Sequence, residues 1–142
     1  MQQFSLGFVF DSSLKQVLLM HKERPASQAG KVNGLGGKVE AGEDSRACVV
    51  REIKEEADLS TVSENWVYAG AMRSDEWTID VYGLAYTGEM SDAASMEEQR
   101  VEWFPVDSLP ANSMSNLAWL VPFVRNKLFD KDTMPRFLIE YP

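Results

Sequence analysis

Apolar residues along this chain gather in short runs set apart by polar or glycine-bearing stretches. Phe4 to Phe10 and Gln16 to Met20 are two such runs, and Asp11-Ser12-Ser13 between them predicts a hairpin. The polar segment His21 to Lys31, which carries Lys22, Arg24 and Pro25, reads as a loop over the mouth of a site. Val32 to Glu40 combines three glycines with short apolar residues, and glycine lets a backbone come close to a ligand. Further on, Trp66 to Arg73 and Thr78 to Tyr86 read as strands around a Ser74-Asp75-Glu76 turn, the second alternating through Ile79, Val81, Gly83 and Ala85. Gly88 to Glu98 is a polar loop, Arg100 to Pro105 a strand, and Val106 to Pro110 a turn or short helix. Ser113 to Leu128 predicts an amphipathic helix interrupted at Pro122, and Arg136 to Tyr141 a final strand. No repeat or linker breaks the pattern, which reads as one domain over residues 1–142.

Between Glu43 and Leu59 the period changes. If Asp44 or Ser45 caps a helix, each residue turns by about 100°, and Glu52, Glu55 and Glu56 fall near 0°, 300° and 40°. Ala47, Val50, Ile53 and Ala57 then fall between about 100° and 220°, so the apolar face is expected to meet a core and the opposite side to gather carboxylates. Carboxylates three and four residues apart repel by a few tenths of a kcal/mol per pair. A hard divalent cation would offset that cost, because such ions take oxygen ligands between carboxylates and phosphates. A Glu triplet alone fits a solvated acidic face better than a metal site, since surface helices are often Glu-rich.

Composition narrows the classes. A chain of 142 residues has room for one domain with a sizeable core. With 44% apolar and 25% charged residues it is not built to stay disordered. A net charge of -8 argues against a nucleic acid polymer or an anionic membrane as partner. A phosphorylated small molecule stays open, because a bound cation inverts the local field. The single cysteine, Cys48, has no partner for an internal disulfide, and it falls at the edge of the carboxylate side, where partial burial is expected. His21 is the only histidine, which leaves no zinc-ligand spacing. The first residues have no basic start and no apolar run approaches a membrane span, so the chain reads as cytoplasmic.

Gly37, Glu43, Arg51, Glu52, Ile53, Glu55, Glu56 and Leu59 follow the order Gly, five residues, Glu, seven residues, Arg-Glu-apolar-any-Glu-Glu-any-Gly-apolar. On these residues the chain resembles the Nudix hydrolases. It departs only at Asp58, where the family has a glycine that closes the helix in a left-handed conformation, and Asp is among the few residues that tolerate one. The resemblance implies an α/β fold, a mixed sheet sandwiched between helices. It implies Mg²⁺ or Mn²⁺ as cofactor, held by the Gly37 carbonyl, Glu52, Glu55 and Glu56, with a further ligand in the loop before Trp103-Phe104-Pro105, where Glu98 is the counterpart and Glu97 the alternate. Glu55 is expected as the general base, with Glu52 or Glu98 as alternatives. Glu43 and Arg51 are expected to join loop to helix by a salt bridge, Arg51 orienting carboxylates.

Gly30 to Val39 is similar to the stretch of MutT-like members that clear oxidised purine nucleoside triphosphates, where the residue at Asn33 contacts the base. Gly36 and Lys38 are implied as further substrate contacts. The acidic pair that usually reads the base is absent, with Asn116 and Leu117 near its place, and Trp119 or Trp77 offers a ring to stack on. The expectation is a purine (d)NTP pyrophosphohydrolase, 8-oxo-dGTP included, giving a monophosphate and pyrophosphate. A nucleotide sugar or dinucleotide as substrate, or a nucleotide sensor without catalysis, are the alternatives. An RNA-end hydrolase would want a basic groove, and no Lys/Arg cluster stands here. Oligomeric state is open, a homodimer included.

Overall fold

A computed structural model describes residues 1–96 and 99–142. Its centre is β1 (Gln2–Phe10), which is buried on both faces from Ser5 onward. β1 runs parallel to β6 (Trp77–Ala85) along its whole length, from Gln2↔Trp77 to Phe10↔Ala85. Its other edge is divided. Val9 and Phe10 pair with β2 (Gln16–His21), and Phe4 to Gly7 pair with β4 (Leu35–Lys38), both antiparallel. β2 in turn takes β3 (Val32–Asn33) and β7 (Arg100–Pro105). β5 (Val67–Arg73) lies antiparallel to β6, and β8 (Phe137–Glu140) lies parallel to β5 at the edge. Among the described residues the result is one mixed eight-stranded sheet.

Alternation along β1 and β2 feeds two cores. Leu6, Phe8, Phe10, Val17 and Leu19 face α2 (Leu117–Phe129), meeting Leu117, Leu120, Val121 and Val124. Val9, Leu18, Met20 and Leu35 face α1 (Ser45–Ala57), meeting Val49, Ile53 and Ala57. Each such side chain stabilises the fold by roughly 1.5–3 kcal/mol on full burial. Gly7 lets α1 close in, since a Cβ there would stand 2.6 Å from Val49 Cγ2. The layers are helix, sheet, helix.

Strand bounds agree with the hydrophobic runs to within about two residues. Two local expectations fail. Residues 113–116 are not helical, because the Met114 N–H is engaged by the Val32 carbonyl at 2.8 Å and the Val32 N–H by Asn112 at 3.0 Å. α2 therefore starts at Leu117. Pro122 lies inside α2 without ending it; it forfeits the bond to the Ala118 carbonyl, and both residues are exposed, so that carbonyl is not buried unsatisfied. Among the described residues no helix is long and apolar enough to cross a membrane.

Candidate active site

α1 is closed at both ends by aspartates. The Asp44 side chain accepts the Ala47 N–H at 2.8 Å, satisfying a free donor of the first turn. Asp58 takes the left-handed conformation at φ 56°, with its N–H on the Lys54 carbonyl at 3.1 Å. The departure from glycine is thus accommodated by the side chain next best suited to it.

The face α1 buries is not the one its apolar residues predict. Cys48, Val49, Ile53, Glu56 and Ala57 are buried, while Ala47 is exposed and Val50 half-buried. The helix is turned by roughly one residue's rotation, about 100°, so that Glu52 and Glu56 point into the protein and Glu55 points out. The physical reason lies opposite, in β4. Gly36 and Gly37 have no side chains, and the space is filled by carboxylates: a Cβ on Gly37 would stand 2.4 Å from Glu52 Oε1. Glu56 is only 6% exposed, and it accepts the Gly36 N–H at 2.9 Å, the kind of partner a buried carboxylate requires.

Arg51 is the charge that organises this edge. Nη1 reaches Glu52 at 3.0 Å and Glu55 at 3.1 Å, and Nη2 and Nε hold Glu43 at 2.7 and 3.1 Å. A further bond to the Lys38 carbonyl at 3.1 Å ties the helix to the end of β4. The hydrogen bonds from Arg51 draw the Glu43 carboxyl down to about 2, and Glu43 in turn raises the Arg51 guanidinium above its already high range. Beneath them Cys48 is fully buried, not partly: the Ser5 hydroxyl donates to its sulfur at 3.0 Å and its thiol faces the Gly37 carbonyl at 3.5 Å. Burial pushes that thiol up to about 11, which makes it an inert packing group.

Among the described residues no group of three or more His, Cys, Asp or Glu forms a ready metal cluster. Glu52 and Glu55 are bridged by Arg51, and Glu56 is engaged by Gly36. The donors themselves, carboxylate oxygens and the carbonyl of a residue without Cβ, are of the class hard divalent cations take. Glu97 and Glu98 lie outside the described residues.

Beside Gly36 and Gly37 opens a cleft of about 580 Å³, within the range of small-molecule sites. Phe4, Leu6, Met72, Trp77, Ile79 and Met114 give it apolar walls, and Lys22, Gln28, Asn33 and Asn116 supply polar groups. Asn33 Oδ1 accepts the Gly34 N–H at 2.8 Å and Nδ2 donates to Gln28 at 3.2 Å. Asn116 Nδ2 donates to the Met72 sulfur at 3.7 Å, while its Oδ1 is buried without a hydrogen-bond partner. Of the two tryptophans expected to offer a stacking surface, Trp77 lines the cleft; Trp119 is 37% exposed and packs on Phe137. Lys38 is exposed and outside the cleft lining, and His21 closes β2, paired with Glu102 at 2.8 Å. The apolar walls were not legible beforehand. Alternation along β1 and β6 places Phe4 with Leu6 and Trp77 with Ile79 on one face, but only the Phe4↔Ile79 register brings the pairs together.

The NUDIX domain family model matches residues 3–125. An oxidized purine nucleoside triphosphate hydrolase of Danio rerio is 30% identical over 118 residues, covering 80% of this chain and 75% of that protein. The mutator MutT protein of Bacillus halodurans superposes with a TM-score of 0.71 at 24% identity, over 99% of this chain and 90% of the other. The MutT Nudix hydrolase of Burkholderia pseudomallei also gives 0.71, at 22% identity over 87% and 97%. At those identities the two structures bear on the fold alone. The spacing from Gly37 to Leu59, the layered fold and a match over most of its length lead to one conclusion: this chain belongs to the Nudix family of hydrolases.

Proposed function

We propose that this protein hydrolyses a purine nucleoside triphosphate, an oxidised one by preference, to the monophosphate and pyrophosphate with Mg²⁺ or Mn²⁺. The observation that carries the reading is the cleft: a nucleotide-sized, apolar-walled space lined by Gly36 and Gly37, beside the inward-facing carboxylates, and by Asn116 with its unpartnered amide oxygen. Flat rings suit such walls. An acceptor without a partner calls for an N–H donor on the ligand. Oxidation of a purine at C8 places an N–H at N7, where the unmodified ring has a bare acceptor, so Asn116 Oδ1 is suited to tell the two apart. The name of the Danio rerio relative supports the same substrate class.

Glu52, Glu55, Glu56 and the Gly37 carbonyl would hold the cation, and Glu98 is the further candidate. When bound, the ion supplies neutralisation of phosphate charge and a more acidic water. Water oxygen bonds to phosphorus as the bond to the departing pyrophosphate breaks, and Glu55 takes the proton released. Glu55 suits that role because its side chain is 46% exposed and reachable, with Arg51 fixing its direction at 3.1 Å. Asn33 and Gly36 face the nucleotide from the cleft wall.

A panel of nucleotides tests this, with pyrophosphate and phosphate followed separately and oxidised and unmodified purine triphosphates, ADP-ribose, dinucleotides and nucleotide sugars compared. Pyrophosphate released from an oxidised purine triphosphate and abolished by EDTA is the expected result. Turnover of a sugar or dinucleotide alone would overturn the substrate, and tight binding without turnover would overturn the enzyme in favour of a sensor.

A further inference from the structure

The family match ends at residue 125, yet the residues beyond it bear on the cleft. β8 runs beside β5 from Gly70↔Phe137 to Arg73↔Glu140, and the following Tyr141 N–H donates to the Arg73 carbonyl at 2.8 Å. That register delivers the Tyr141 side chain to two residues of the cleft wall. Its ring packs on Trp77 at 5.5 Å between centroids, and its hydroxyl donates to the Met72 sulfur at 3.7 Å. The same sulfur takes the Asn116 Nδ2 at 3.7 Å. Met72 is 2% exposed, so water does not compete for it.

Two donors therefore meet on one thioether, and this decides which end of the Asn116 amide faces a ligand. With Nδ2 turned to sulfur, Oδ1 is the end left buried without a hydrogen-bond partner. A flipped amide would set oxygen against the sulfur lone pairs and leave its donors toward the cleft. Methionine is flexible and adapts to its surroundings. The Tyr141 hydroxyl holds the thioether in the orientation that selects the amide's direction.

We propose that Tyr141 and Met72 are positioning residues for base selection, holding the Asn116 oxygen toward the base and Trp77 in the wall. The inference rests on the reading of the cleft given above. Neither residue lies among the signature carboxylates, so the pair governs which base is accepted and not the rate of bond cleavage.

Tyr141→Phe removes the hydroxyl and keeps the ring and strand pairing; Met72→Leu removes the sulfur at similar volume. Each is compared with wild type by steady-state kinetics on an oxidised purine triphosphate and its unmodified parent, and by the Asn116 side-chain amide NMR signals recorded without nucleotide. The expected result is a KM for the oxidised base raised roughly three- to tenfold, the loss of about one well-aimed hydrogen bond. The ratio between the two bases shrinks to match, kcat holds, and the Asn116 signals shift. The double variant is expected to be no worse than Met72→Leu, because both act through one sulfur. Unmoved Asn116 signals and KM in a working enzyme overturn the positioning role alone, as does an equal loss on both bases with a lowered Tm. If wild type turns over no purine triphosphate, the reading of the cleft fails, and the selection role fails with it.

Discussion

Arg51 grips Glu43 with two separate bonds, Nη2 to Oε1 at 2.7 Å and Nε to Oε2 at 3.1 Å, across the turn that joins β4 to α1. The clamp is planar and bidentate, a geometry that lysine cannot reproduce. Glu43 also accepts the Glu40 N–H at 2.9 Å, so one carboxylate fixes both the loop and the helix.

A pH dependence follows. The Glu43 carboxyl is drawn from its usual 4.5 to about 2 in the folded protein, so the unfolded chain binds its proton first as pH falls. Its contribution to stability is complete above about 4.5 and is lost as pH drops toward about 2. Glu43→Gln is expected to melt at a lower temperature than wild type at neutral pH, the gap closing through that window. A gap that persisted unchanged at pH 2 would contradict the assignment.

Glu55 is exposed, so replacing it tests chemistry without disturbing the fold. Glu55→Gln should lower kcat by roughly 100-fold, the share of a general base, with Tm within a degree or two of wild type. Retained turnover would move the proton to another carboxylate.

Neighbouring glycines separate site from fold. Gly37→Ala pushes a methyl to within 2.4 Å of Glu52 Oε1, the end of a flexible side chain. Activity should fall by about 100-fold, the usual cost of a misplacement near 1 Å, with little change in Tm. At Gly36 the new Cβ would stand 2.0 Å from the Ser5 carbonyl oxygen, at φ +151°. Gly36→Ala is expected to lose several kcal/mol of stability, visible in a urea titration before any assay.

Asn116→Leu removes the unpartnered acceptor and roughly keeps the volume. KM for an oxidised purine triphosphate should rise about tenfold or more, because the ligand N–H is left unpaired in an apolar cleft. Trp119→Ala, away from the cleft, should leave that KM unchanged.

Much of this molecule was legible in its residues, and the exceptions share a cause. Asp44, Asp58 and the Glu43–Arg51 spacing act within a few turns of chain, and each stands where local rules place it. The rotation of α1 was hidden because it depends on what β4 lacks: two absent side chains made the polar edge of the helix the one that fits. The start of α2 depended on Val32 engaging residues 112 and 114. The cleft depended on a parallel register between strands far apart in the chain. Periodicity describes an element's own faces and is silent on which neighbour each will meet.

The divided edge of β1 has a consequence for how the protein is made. β1 is synthesised before the other strands of its sheet, yet its longest ladder is with β6, where Gln2 meets Trp77, and its remaining edge waits for β2 and then β4. Non-local parallel pairing is slow, since the loop between must close before any contact rewards it. A strand running Leu6 to Phe10 with almost no polar side chain is therefore unpaired through much of synthesis. That interval, not the finished fold, is when this chain is most open to aggregation.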